Sequence, residues 1–266
     1  MSEHDKGQVA ASAAEIYEQF FVPALFHEWP GRVLEIAQVG SGHQVLDVAC
    51  GTGVLARSAA SVVGNTGGVV GLDINDGMLA VAKSKSSSVV WQHGAAESLP
   101  FENETFDRVV SQFGLMFFPD QVKAIAEMLR VLKSDGVACV AVWGSLAGTP
   151  GYLAVAEMLR ALFGPEVAQS IEAPYSLGDP EQLQQLFVDA GAANIDVQTV
   201  SGTARFESLE SWLYTDIKGW TLADVIDDAG YERLTQAAAE YLSAFVGADG
   251  RVAFDAPAHL VRFTKS

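Results

Sequence analysis

Residues Val45-Leu46-Asp47-Val48-Ala49-Cys50-Gly51-Thr52-Gly53-Val54-Leu55-Ala56 join an apolar run, a carboxylate and two glycines in the order that builds a ligand cradle. Val45, Leu46 and Val48 suit a central strand covered on both faces. Gly51 and Gly53 allow positive φ and close approach of backbone to a ligand. The helix expected from about Val54 aims its free N–H groups into the same loop. A second apolar run ends in Gly71-Leu72-Asp73, and Asp73 could accept hydrogen bonds from both hydroxyls of a ribose. A glycine loop alone also fits an ordinary strand-turn-helix unit, but the spacing to Asp73 favours a nucleoside site. Asp47 narrows the ligand, because a carboxylate at the end of the first strand repels pyrophosphate and suits a cationic or zwitterionic group.

From here the chain resembles the class I S-adenosylmethionine-dependent methyltransferases. Their first motif is similar to Val45–Gly53, with Ala49 where the family's first glycine stands. Gly71-Leu72-Asp73-Ile74-Asn75 resembles the second motif, with Asn75 as a cap for the helix carrying Met78. Gly94-Ala95-Ala96-Glu97-Ser98-Leu99-Pro100-Phe101 resembles the adenine-embracing segment, although Ala95 replaces the family's usual aspartate. Contact to the exocyclic amine would then come from Glu97 or from backbone. Phe106–Gly114 resembles the fourth-strand motif that ends at the transfer cleft, and Met128–Gly136 the turn into the fifth strand. The resemblance implies S-adenosyl-L-methionine as cofactor, held by Tyr17, Asp47, Ala49, Gly51, Gly53, Asp73, Ile74, Met78, Ala95, Ala96, Glu97 and Gln112. It points to the small-molecule branch similar to the ubiquinone and menaquinone biosynthesis enzymes (methyltransferase type 11).

Methyl transfer asks little of side chains, since the sulfonium carbon is already activated and alignment with exclusion of water supplies much of the rate. A general base is needed only if the acceptor must lose a proton. His27, Tyr17 and His93 are candidates, none in a diagnostic spacing, so the catalytic set stays unknown. By position Phe113, Phe117 and Trp143 are expected to line the acceptor pocket. Cys50 and Cys139 lie on separate elements and the five histidines are scattered, which gives no metal site. Tyr214-x-x-x-Lys218 matches the catalytic pair of short-chain dehydrogenases, but the accompanying glycine loop is missing. A noncatalytic S-adenosylmethionine-binding protein and, further off, a Rossmann oxidoreductase stay open as alternatives.

The elements that must position these residues alternate. Strands are expected near 45–49, 69–73, 89–93, 106–111 and 137–143, with helices over 54–63, 76–84 and 119–132. Residues 151–163 read as a helix, followed by a Pro-containing loop to Gly178 and a helix from Pro180 to Ala190. A sixth strand is expected at 195–200 and a last one at 253–263. This is an α/β pattern, expected as a seven-stranded, mostly parallel Rossmann-like sheet with helices on both faces and an added helical cap. One domain, 1–266, would carry an N-terminal helical lid (10–40, with Pro23 and Pro30 interrupting), a cofactor core (41–145) and cap insertions (146–178 and 205–248).

A net charge of −17 over 266 residues, with no basic run, argues against nucleic acid as partner. No stretch suits membrane insertion, and the first residues lack the pattern of a secretion signal. A cytoplasmic enzyme acting on a small-molecule methyl acceptor is expected, with homodimerisation left open.

Overall fold

The computed structural model describes residues 14–218, 222 and 225–265. The buried apolar runs form β1 (Gln44–Val48), β2 (Gly68–Asp73), β3 (Val90–His93), β4 (Phe106–Gln112) and β5 (Leu132–Trp143). With β6 (Ala193–Val200) and β9 (Ala258–Thr264) they make a seven-stranded sheet in the order β3-β2-β1-β4-β5-β9-β6. The first five strands run parallel, and β9 is antiparallel to both its neighbours. The sheet is therefore mixed but mostly parallel, as the alternation implies. Chain order reverses between β1 and β4, and ligands of open α/β sheets bind at such a switch point, beyond the carboxyl ends of the strands.

The helices of the core are α3 (Val54–Val63), α4 (Asp76–Lys85), α5 (Gln121–Val131) and α8 (Pro180–Asp189). Local chemistry sets their ends. Asn75 accepts from the Met78 N–H, Asp120 from Lys123, and Asp179 from Glu181 and Gln182, each satisfying an orphan donor of a first turn. Gly191, at φ +84°, follows α8 in the left-handed region that ends helices.

Four segments depart from expectation. The N-terminal helix is three pieces: α1 (Ala14–Ile16), a π-helix (Tyr17–Phe26) and α2 (Pro30–Ile36). Pro23 lies inside the π-helix rather than breaking it, while Pro30 opens α2 at its first turn. Residues 10–13 of the expected lid fall outside the described residues. The expected loop to Gly178 is mostly helical, because Pro165 starts α7 (Pro165–Glu172) directly after α6 (Pro150–Phe163), and a 3-10 turn follows at Ala173–Tyr175. Proline at a first helical turn nucleates, since its missing N–H is an orphan there anyway. The expected last strand is two: Pro257, with no N–H to give a ladder, separates β8 (Val252–Asp255) from β9. β8 pairs with β7 (Thr203–Phe206) in a separate antiparallel ribbon. The cap region 205–248 is accordingly part strand, followed by α9 (Leu209–Lys218) and α10 (Asp228–Leu242). Among the described residues no helix is long and apolar enough to cross a membrane.

Candidate functional site

The loop after β1 is held in an unusual backbone path. Ala49 and Gly51 have φ of +57° and +54°, and Gly53, at +87°, caps α3. The glycines divide in role. A Cβ on Gly53 would meet the Trp91 ring at 2.3 Å, and one on Gly71 would meet the same ring at 2.6 Å. Both are glycine because the indole of β3 packs beneath the loop. At Gly51 an added Cβ would have nothing within 4 Å, so its backbone is the open one. Gly114, after β4, approaches so closely that a Cβ added to it would lie 2.7 Å from that of Ala49, which keeps position 114 glycine and joins the two loops across the switch point.

Two carboxylates stand beside this loop, Asp47 on β1 and Asp73 at the end of β2. Asp73 accepts from the N–H groups of Gly51 and Asn75, both at 2.8 Å. Burial raises its pKa, and these backbone donors pull it back down. Asp47 is 1% exposed, and neither oxygen has a hydrogen bond among the described residues. Burial first, then the charge of Asp73, raises its pKa well above the ordinary range, and the Ala56 N–H dipole opposes them from outside full hydrogen-bond geometry. Glu97 Oε1, Gln112 Oε1 and Thr52 Oγ1 are also buried without described partners. Buried polar groups are normally hydrogen-bonded, and here the unmet need is for donors and positive charge. An amine, ribose hydroxyls and an exocyclic amine supply these, whereas a pyrophosphate supplies none. The residues therefore fit the expected sulfonium nucleoside.

The remaining predicted cofactor residues lie at the ends of β2, β3 and β4 and on the helices beside them. Ile74 is 49% exposed beside Asp73, an apolar surface suited to a purine face. Met78 is buried against Ala14, with Tyr17 packed beside them, so α1 rests on α4. Ala95 is partly buried and Ala96 buried in a segment fixed from α5: Glu127 accepts from Leu99 N–H at 2.8 Å, and Arg130 donates to the Leu99 and Phe101 carbonyls. Arg130 also holds the Glu127 carboxyl below its usual range. Gln112 donates from Nε2 to the Phe26 carbonyl at 3.3 Å, tying the end of β4 to the π-helix. On the other side Glu18 pairs with Arg57 of α3 at 2.9 Å.

An aromatic slot continues from the cleft. Phe113, Phe117 and Trp143 line it with Tyr17, Phe21, Leu25 and Phe26 of the π-helix. Phe113 stacks on Trp143 with centroids 3.8 Å apart and 14° between planes, and its φ of +57° turns it out of β4 to do so. The deep end is closed by Tyr152 of α6, Ile171 of α7, Tyr175 and Asp216 of α9. Tyr152 donates to Asp216 at 3.1 Å.

Tyr152, Tyr175 and Asp216 escaped the sequence reading. One signal existed: Asp216 follows Trp212 by four residues on the buried face of α9, a carboxylate in an apolar stripe. The candidate bases lie away from the slot or are held protonated. His27 is exposed and does not line the slot, and His93 is exposed as well. Tyr17 does lie between cleft and slot, but burial and then the charges of Asp73, Glu18 and Asp47 hold its hydroxyl protonated. Cys50 and Cys139 are buried thiols pushed up by desolvation, unsuited to nucleophilic attack. Tyr214 of the dehydrogenase-like pair is 42% exposed, edge-on to Phe20.

Residues 23–205 match the model of the ubiE/COQ5 methyltransferase family. The demethylmenaquinone methyltransferase of Staphylococcus saprophyticus is 35% identical over 188 residues, covering 65% of this chain and 80% of the relative. Among solved structures, the YcgJ protein of Bacillus subtilis matches 90% of this chain and 99% of its own at a TM-score of 0.61 and 22% identity. Phosphoethanolamine N-methyltransferase 2 of Haemonchus contortus, solved with S-adenosylhomocysteine, matches all of this chain and 60% of its own at 0.63 and 21%. The two structures speak to fold alone.

Proposed function

We propose, from the premise that this chain belongs to the ubiE/COQ5 methyltransferase family and is an S-adenosylmethionine-dependent methyltransferase, that its acceptor is a small planar aromatic molecule seated in the slot. The observation that carries this is continuity. An acceptor-rich polar cleft and an aromatic slot meet at Tyr17 and Phe113, with Gly114 against Ala49 at the junction. When bound, the sulfonium would supply a methyl group whose carbon an acceptor attacks in line, with S-adenosylhomocysteine as the leaving group.

The chain's own residues bind and orient. Asp47 would hold the cofactor's amino group, Asp73 its ribose, Ile74 one face of its adenine, and Glu97 the exocyclic amine in place of the aspartate that Ala95 replaces. Tyr17 would cover the cofactor with a neutral hydroxyl. Phe113, Trp143 and Phe26 grip a ring by offset and tilted stacking, contacts worth about 0.5–1.5 kcal/mol each beyond burial. The slot walls exclude water, so alignment rather than side-chain chemistry carries most of the rate. The Staphylococcus relative is named for demethylmenaquinone, which supports an aromatic acceptor. A cytoplasmic setting suits two buried cysteines left unbridged.

The test is calorimetric titration with S-adenosylmethionine and, separately, NADH, followed by an acceptor panel that includes a short-chain demethylmenaquinol, read as S-adenosylhomocysteine released. Binding of the sulfonium compound and turnover with an aromatic acceptor are expected. Binding without turnover across the panel would make the chain a sensor or assembly partner instead.

A further inference from the structure

The deep end of the slot holds a group that packing does not explain. Asp216 is 3% exposed, and only one of its oxygens is satisfied: Oδ1 accepts from the Tyr152 hydroxyl, while Oδ2 is buried with no hydrogen-bond partner among the described residues. The Trp212 N–H lies toward the carboxylate, outside hydrogen-bond geometry. The titratable groups lining the slot with it are Tyr17 from the π-helix, Tyr152 from α6 and Tyr175 from the turn after α7. Among the described residues no Lys, Arg or His lines it. A half-satisfied carboxylate in an aromatic pocket is expensive unless a ligand completes it.

We propose that Asp216 Oδ2 accepts a hydrogen bond from a ring hydroxyl of the acceptor, so that the slot selects a hydroxylated aromatic over its plain hydrocarbon; this rests on the slot being the acceptor site. Desolvation pushes the Asp216 carboxyl up to about 7, with the Tyr152 hydrogen bond pulling the other way. The charged carboxylate is the stronger acceptor, so the selection is strongest above that value. Asp216 lies beyond residues 23–205, so the matched family region does not contain it.

The experiment is calorimetric binding of 2-naphthol and of naphthalene to the full chain with S-adenosylhomocysteine present. The wild type is expected to prefer 2-naphthol at least tenfold, and Asp216→Asn to erase that preference while keeping its affinity for naphthalene and S-adenosylhomocysteine. Wild-type preference should fade as pH falls through about 7, and Tyr152→Phe should move that midpoint upward, because it removes the hydrogen bond that favours the charged carboxylate. If the naphthol preference persists in Asp216→Asn, or the midpoint does not move in Tyr152→Phe, the inference falls and the slot assignment stands. If the wild type binds neither ring, the slot assignment falls and takes the inference with it. Should Asp216→Asn lose S-adenosylhomocysteine binding through misfolding, the Tyr152→Phe midpoint decides alone.

Discussion

The proposed cofactor cleft and the proposed acceptor slot share a wall but are built differently. The cleft is made from the ends of β1, β2 and β4, where backbone path and carboxylates do the work within a few residues of one another. The slot is made from the π-helix, α6, α7 and α9, which meet only in three dimensions. One is polar and short of donors, the other aromatic with one half-satisfied carboxylate. On these proposed roles, variants in each region should affect one ligand and spare the other.

Asp47 offers the largest separation. Its buried, unpaired carboxylate is tolerated without ligand and useful with it, so Asp47→Asn should weaken S-adenosylmethionine by about 100-fold, roughly 2.7 kcal/mol, while stabilising the ligand-free protein. The sign on pH follows from the raised pKa of the folded state. Deprotonation disfavours the folded form, so stability falls as pH rises from about 4, the unfolded range, towards the folded value. Urea midpoints across pH without ligand should show that fall in the wild type and less of it in Asp47→Asn. A variant with lower stability and intact affinity would show that Asp47 is structural.

Asp73→Ala comes next, with at least tenfold weaker S-adenosylmethionine binding, about 1.4 kcal/mol. Two backbone donors, Gly51 and Asn75, also lose their acceptor, so the loop should loosen. Calorimetry checks the first, and amide exchange at Gly51 the second. An unchanged affinity would remove the ribose role. On the other side of the comparison, Trp143→Leu breaks the 3.8 Å stack on Phe113. It should raise acceptor KM several-fold and leave S-adenosylmethionine affinity alone. Equal losses for both ligands would mean that cleft and slot form one unit.

The same division explains what could be read in the chain. The cleft was legible because its parts are local: Val45 to Gly53 and Asp73 carry strand, loop and carboxylate in fixed order, and Asn75 announces the next helix. The sheet was legible for the same reason, except where proline's two roles diverge. Pro165 starts a helix and Pro257 splits a strand, and composition alone does not separate these outcomes. The slot was half legible. Phe113, Phe117 and Trp143 follow from strand ends, but Tyr152, Tyr175 and Asp216 come from elements whose packing no local spacing encodes. Tyr214 and Lys218 matched a motif by spacing, yet Tyr214 faces solvent, and the buried group was its neighbour but one.

The smallest expected effect lies where the π-helix is fastened over the cleft. Glu18 pairs with Arg57 at 2.9 Å and lies 3.9 Å from Lys85, while Gln112 holds the other end through the Phe26 carbonyl. Arg57 and Lys85 are 24% and 50% exposed, and solvent screens such pairs to about 0–1 kcal/mol. The fold should therefore not depend on them. Position matters more than energy here, because Tyr17 precedes Glu18 directly and spans cleft and slot. Glu18→Gln should leave thermal stability within about 1 kcal/mol of wild type and raise KM for S-adenosylmethionine two- to threefold with kcat unchanged. Added salt should shrink the difference between the two proteins, since the pair is partly exposed. Tyr17→Phe in the same assay keeps the packing and removes a hydroxyl that never ionises in range, so its kcat should match wild type at every pH. A fall in kcat for Tyr17→Phe, or a salt-independent defect in Glu18→Gln, would show that the π-helix takes part in the chemistry rather than only closing over it.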